Sequence, residues 1–278
     1  GRLDVEEQAT TRTRRGVSAA AAGGLVERDE ELATVDRELA ASAAGGRVLL
    51  VSGDAGTGKS TLLDAVRQRA RGTMAVRFGR CDALTTPAPL GPLWEMRGML
   101  PPEVVRPLED GRRELVFAAL LDELVRTRSL LVVDDVHWAD EATIDLLRYL
   151  GRRITSTRAL LVCAFRGGEV DARHPLRGML GTLGSATTRI ELRALTIDGV
   201  TELARGRDVD PVDLYAVSGG NPFFVTQMLA EPDHALPASV EDAVLARTRS
   251  LPVRAMRLLE LVGIAPEGLP LPLLPDLD

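Results

Sequence analysis

A chain of 278 residues, 45% hydrophobic and 27% charged, is long enough for one large domain with its own core and a smaller second one. Its formal net charge of −6 argues against a broad nucleic-acid surface. No apolar run approaches membrane-spanning length and the first residues lack a signal-peptide core, which predicts a cytoplasmic protein with no membrane attachment.

In chain order, residues 1 to 24 show no apolar periodicity and are expected to be a disordered tail or linker. A helix is predicted over 29 to 44, with Leu32, Val35 and Leu39 on one face and a stop at Gly45-Gly46. Strand-like runs follow at 47 to 52, 74 to 79, 129 to 134, 159 to 165 and 188 to 192. Helical stretches separate them near 60 to 71, 112 to 128 and 140 to 154. Such alternation predicts a doubly wound parallel sheet with helices on both faces. Beyond Leu195 the strands stop: residues 196 to 235 are expected to form a small helical domain, and 236 to 278 to hold two more helices and a Pro-rich end, as in a fragment of a longer protein. Trp94 and the segment Pro87 to Pro92 form either a partner surface or packing. Cys81 and Cys163 lack metal-ligand spacing with the three histidines and are expected to be structural thiols.

The strongest chemical signal lies at the end of the first strand. Gly53-Asp54-Ala55-Gly56-Thr57-Gly58-Lys59-Ser60 is a complete G-x-x-x-x-G-K-[ST] loop between an apolar run and a helix that begins with Thr61. Of 34 basic residues, Lys59 is the one lysine, a compact ammonium in a chain that otherwise uses the bulkier planar guanidinium. The backbone N–H groups from Gly53 to Thr61 would cradle phosphates, Lys59 would reach the terminal ones, and the Ser60 hydroxyl would bind Mg²⁺.

A second constellation is Leu130-Leu131-Val132-Val133-Asp134-Asp135, an apolar strand ending in two acids. Paired carboxylates at a strand end are costly to bury without a cation, so Asp134 is assigned to Mg²⁺ and Asp135 to orienting or deprotonating an attacking water. Arg166 follows the next apolar strand and is a candidate for sensing or stabilising phosphate charge, with a surface arginine as the competing reading. Asp140 is expected to cap a helix. For His137 no partner is identified.

The phosphate loop, Val132-Val133-Asp134-Asp135-Val136-His137-Trp138-Ala139-Asp140 and Ser218-Gly219-Gly220-Asn221-Pro222-Phe223-Phe224 together resemble the STAND signalling ATPases, in particular the ATPase module of large LuxR-family transcriptional regulators, over residues 25 to 265. The resemblance implies a P-loop NTPase sheet of the additional-strand type, followed by a helical domain and the start of a winged helix. In that family the strand before Arg166 lies between the other two. A segment before the first strand helps hold adenine; here it reads Leu25-Val26-Glu27-Arg28-Asp29-Glu30-Glu31-Leu32, which assigns Val26 and Arg28 to the base and puts Glu27 where the family has glycine. Pro222 would pack on adenine in the ADP-bound, closed form. The resemblance further implies ATP/ADP and Mg²⁺ as cofactors, slow hydrolysis serving regulation, and self-association or sensor domains of a longer chain as partners. DNA binding would come from a C-terminal domain outside this segment.

Several rivals fail on residues alone. Guanine recognition through N-K-x-D needs a second lysine, and Ser218-Gly219-Gly220 follows the paired acids, whereas the ABC-transporter signature precedes them. A P-loop kinase or other metabolic ATPase acting on a small molecule stays open as the alternative. It needs an acceptor site and an Arg-rich mobile lid.

Overall fold

The computed structural model describes residues 25–84 and 86–230, with 254–256 and 259. The expected tail and winged helix fall outside those residues, apart from these last four positions. Helix α1 (Asp29–Ala41) precedes β1 (Arg47–Gly53), α2 (Lys59–Ala70) and β2 (Ala75–Arg80). Three helices, α3 (Gly91–Glu95), α4 (Pro102–Glu109) and α5 (Arg113–Arg126), lead to β3 (Ser129–Asp134). Then come α6 (Glu141–Gly151), β4 (Ala159–Phe165), α7 (Pro175–Thr182) and β5 (Thr187–Leu192), followed by α8 (Ile197–Ala204), α9 (Pro211–Ser218) and α10 (Pro222–Ala230).

The five strands form one parallel sheet in the order β2-β3-β4-β1-β5, so β4 lies between β3 and β1 as expected. Side chains alternate across a strand, and both faces of this sheet are covered, which is why the central strands carry continuous apolar runs. Val48, Leu50, Leu131, Val133, Leu161 and Cys163 enter one core cluster, which also takes in residues of α3 to α7. Leu49, Val51, Leu130, Val132, Leu160 and Val162 enter the other, with α1 and α2. A third cluster, Leu195, Val200, Ala204, Leu214, Val225 and Met228, holds α8 to α10 together.

The five strands fall within a residue of their expected bounds. Helices α3, α4 and α7 are not anticipated, because each has Pro at its first or second position and too few residues to show a period. Trp94, on α3, packs against the first core cluster, so the Pro87–Pro92 region contributes packing. Both thiols are free and buried, and burial pushes that of Cys163 up to about 12.

Candidate functional site

The turn from β1 into α2 depends on glycine. Gly56 and Gly58 hold φ of +83° and +95°, where side chains with a Cβ are strained. A Cβ at Gly56 would also lie 2.4 Å from Asn221 Oδ1. Gly58 caps α2 without a side-chain hydrogen bond, leaving the first N–H groups of that helix free of a capping side chain. Beside them Lys59 is buried, its Nζ donating to the carbonyls of Gly53 at 2.9 Å and Asp54 at 2.7 Å. Burial lowers the Lys59 pKa and Arg166 lowers it further, while Asp135, Asp134 and Asp54 act in the opposite sense. Thr57 Oγ1 donates to Asp54 O at 2.8 Å and tightens the loop, while Ser60 and Thr61 are exposed.

Parallel register brings the second constellation alongside. Asp134, 2% exposed, pairs with Arg80 at the end of β2, whose Nε is 3.7 Å from Oδ2. The Asp135 N–H donates to Asp134 Oδ1 at 2.9 Å. Burial, and then the neighbouring Asp135 charge, hold the Asp134 carboxyl above its usual range. Asp135 itself takes φ of +53°, a left-handed backbone that ends the strand.

His137 has partners that sequence reasoning did not find. Its ring is buried, with Nε2 at 3.3 Å from Glu169 Oε2 and 3.9 Å from Asp135 Oδ1, yet neither ring nitrogen makes a hydrogen bond. Burial lowers its pKa, against the pull of Glu169 and Asp135. The ring lies against Trp138 at a tilt of 43° with centroids 4.5 Å apart, and the Arg166 guanidinium lies over the same indole at 5.0 Å. Arg166 also donates to Glu169 at 2.7 Å.

The segment after β5 reaches back to both ends of the site. Asn221 Nδ2 donates to Ala55 O at 2.9 Å, and the Phe223 N–H donates to Gly56 O at 3.1 Å. At the other end Glu27, with φ of +54°, accepts from the Thr196 N–H at 2.8 Å and from the Thr196 hydroxyl. Partial burial raises the Glu27 pKa, but these bonds with those from the Gly199 backbone and the nearby Arg28 charge outweigh it, and the net shift is downward. Arg28 is buried and its Nη2 donates to Arg193 O at 2.5 Å. The left-handed backbone at Glu27 is one that glycine adopts freely, and the Glu27 carboxylate binds Thr196 at the start of α8.

Between these parts opens a cleft of about 540 Å³, walled by Gly53, Asp54 and Thr57 of the loop, by Gly167 and Gly168 after β4, and by Arg193, Asn221 and Phe224. Of the expected site residues Gly53, Asp54 and Thr57 line it, whereas Val26, Arg28, Lys59, Ser60, Asp134, Asp135, Arg166 and Pro222 do not. Arg80, His137 and Glu169, near the paired acids and Arg166, and Asn221, on the cleft wall, are residues to which sequence reasoning assigned no role. Of these, His137 and Asn221 lie within motifs the sequence singled out, whereas Arg80 and Glu169 carry no signal of their own.

Residues 24–163 match the AAA ATPase domain. The chain is 30% identical over 258 residues to an uncharacterized protein of Rhizobium meliloti (strain 1021), covering 74% of this chain and 25% of that protein. It therefore spans about a quarter of the length of that curated relative. Among solved structures, Cdc6p from Pyrobaculum aerophilum superposes with a TM-score of 0.54 at 16% identity, covering 76% of this chain and 62% of that one. A Signal Transduction ATPase with Numerous Domains (STAND) protein with a tetratricopeptide repeat sensor from Pyrococcus horikoshii covers 82% of this chain and 34% of its own length, at 17% identity and a TM-score of 0.47. Because the family match takes in half of the chain and runs through the glycine loop, both acids of β3 and most of β4, the chain belongs to the AAA ATPase domain family and has a P-loop NTPase fold.

Proposed function

We propose that residues 25–230 act as an ATP- and ADP-binding, Mg²⁺-dependent switch with slow hydrolysis, serving a signal-responsive transcriptional regulator. The observation that carries this reading is the direct bonding of the segment after β5 to the carbonyls of Ala55 and Gly56, in the loop that would hold phosphate. A segment so attached responds to whatever occupies the loop, and a switch needs contacts that differ between its two ligands.

The residues fit an adenine nucleotide with Mg²⁺. A Cβ at Gly58 would meet nothing within 4 Å, so there is room at the start of α2, and among the described residues the Lys59 ammonium donates to two backbone carbonyls. Asp134 is a buried acid with Arg80 no nearer than 3.7 Å, an environment that favours a closer cation. Among the described residues no group of three His, Cys, Asp or Glu side chains is placed to hold a metal ion. Magnesium is commonly held by one or two protein oxygens, with water and phosphate completing its shell, so Asp134 and the Ser60 hydroxyl suffice. When bound, the ion supplies charge neutralisation at the phosphates. On this reading Asp135 would orient or deprotonate water and Arg166 would contact the terminal phosphate; Val26, Arg28 and Pro222 are assigned to the base, although they lie outside the lining of the cleft.

In this reading residues 25–195 are the ATPase core and 196–235 a helical lid; the partial winged helix assigned to 236–278 falls outside the described residues save for 254–256 and 259. Calorimetry with ATP and ADP tests the assignment of the loop. Lys59→Ala is expected to remove most of the affinity for both nucleotides while leaving the circular dichroism spectrum unchanged. Unaltered affinity would overturn the reading.

A further inference from the structure

The turn that follows β4 is a single 3-10 helix, Gly167–Glu169, flanked by Arg166 and closed by Glu169. Its two glycines line the same cleft as Gly53 and Asp54. Gly168 sits so near the loop that a Cβ there would lie 3.8 Å from Asp54 Oδ1. Whatever moves this turn changes the wall facing the phosphate loop.

Two cations, Lys59 and Arg166, act on one another near this turn. Burial and then Arg166 depress the Lys59 pKa, against the pull of Asp135, Asp134 and Asp54. Each is occupied elsewhere: Lys59 by the carbonyls of Gly53 and Asp54, Arg166 by Glu169 Oε1 at 2.7 Å and by the Trp138 face at 5.0 Å. Glu169 has a second attachment. Its Oε2 lies 3.3 Å from Nε2 of His137, a ring 1% exposed with no hydrogen bond at either nitrogen. The carboxylate is divided between a partly exposed guanidinium on one oxygen and a buried ring on the other, so Glu169 keeps a neighbour if Arg166 leaves.

The geometry points to Glu169 as a positioning residue that parks Arg166 against Trp138 and releases it only to a ligand carrying a terminal phosphate, so that the strength of this pair sets how well the protein tells a triphosphate from a diphosphate. This rests on the switch reading above and adds to it the residue that sets the threshold. The Arg166–Glu169 pair is partly exposed, with side chains 30% and 44% accessible, and such pairs are weak. A charge-assisted bond from guanidinium to phosphate is stronger and displaces it. A diphosphate without the terminal group offers no such replacement and leaves Arg166 in place. The buried His137 ring, also 3.9 Å from Asp135 Oδ1, lies between the parked pair and the acid assigned to water.

The test uses Glu169→Gln, which keeps the shape of the side chain and removes its charge. Affinities for a non-hydrolysable ATP analogue and for ADP are measured with Mg²⁺. Emission of Trp138 is isolated as the difference between each protein and its Trp138→Phe counterpart. Glu169→Gln is expected to shift Trp138 emission without nucleotide and to raise the preference for the triphosphate over ADP about tenfold, a usual size for coupling between two sites. In an Arg166→Gln background the same substitution should leave the preference unchanged. A wild-type preference in Glu169→Gln overturns the proposal. So does an equal gain in the Arg166→Gln background, which would mark a long-range charge effect with no part for Arg166. If ADP fails to bind the wild-type protein, the switch reading itself falls, and unchanged Trp138 emission in Glu169→Gln would then overturn the parking of Arg166 as well.

Discussion

At the scale of single residues, the two acids that end β3 differ in everything except charge. Asp134 is buried and continues the strand, held by the Asp135 N–H and facing Arg80; Asp135 turns out through a left-handed backbone toward His137. Different surroundings imply different roles. Asp134→Asn is expected to weaken Mg²⁺-dependent nucleotide binding, whereas Asp135→Asn should preserve ATP binding and lower turnover by roughly a hundredfold or more, the usual scale for loss of a general base. Binding calorimetry with and without Mg²⁺, beside a phosphate-release assay, separates the two. Equal loss of binding in both variants would contradict the division. The acids themselves were legible in the sequence, since an apolar strand that ends in two carboxylates is unusual. The left-handed turn that parts them was not, because backbone strain at an aspartate leaves no mark on the residue order.

At the scale of elements, helix starts carry much of the information on where the chain turns. Asp140 caps α6 as its position suggested: Oδ1 accepts the Thr143 N–H at 3.0 Å and Oδ2 the Thr143 hydroxyl. It also accepts from the Leu90 N–H at 3.3 Å, at the left-handed turn that begins α3. One side chain thus serves two element starts far apart in sequence. Asp140→Ala is expected to lower unfolding free energy by about 1–2 kcal/mol, the upper part of the range for a lost N-cap. Urea denaturation measures it, and a cost near zero would mean that water replaces both bonds. Strands β1, β3 and β4 were readable because burial on both faces demands continuous apolar runs. Helices α3, α4 and α7 were not, for a helix of one or two turns has no period to read, and Pro at its start resembles Pro in a loop.

For the whole molecule, the decisive relation is between the phosphate loop and the helices after β5. Bonds from Asn221 to Ala55 O and from Phe223 N–H to Gly56 O tie α10 to the loop, while Glu27 and Thr196 tie α8 to the chain before β1. If nucleotide state governs this docking, ADP should slow amide exchange across residues 215 to 230 more than ATP does. Asn221→Ala should reduce that ADP-dependent protection while Lys59 still binds phosphate. Hydrogen exchange with each nucleotide checks this; a kinase lid would instead close most on the triphosphate with its acceptor. Identical exchange in all states would leave the helices without a role in nucleotide response. Among the described residues no helix is long and apolar enough to cross a membrane. What the residue order determined by itself is the local chemistry: the glycine loop with its single lysine, the acid-terminated strand and the alternation that makes a parallel sheet, each written within a few neighbouring positions. What only the tertiary structure decided is which distant groups meet there, namely Arg80 on Asp134, Glu169 between Arg166 and His137, and Asn221 on the Ala55 carbonyl. Contacts of this kind depend on strand order and on the turns after each strand, and residues brought together from separate loops share no periodicity or spacing from which their meeting could be read.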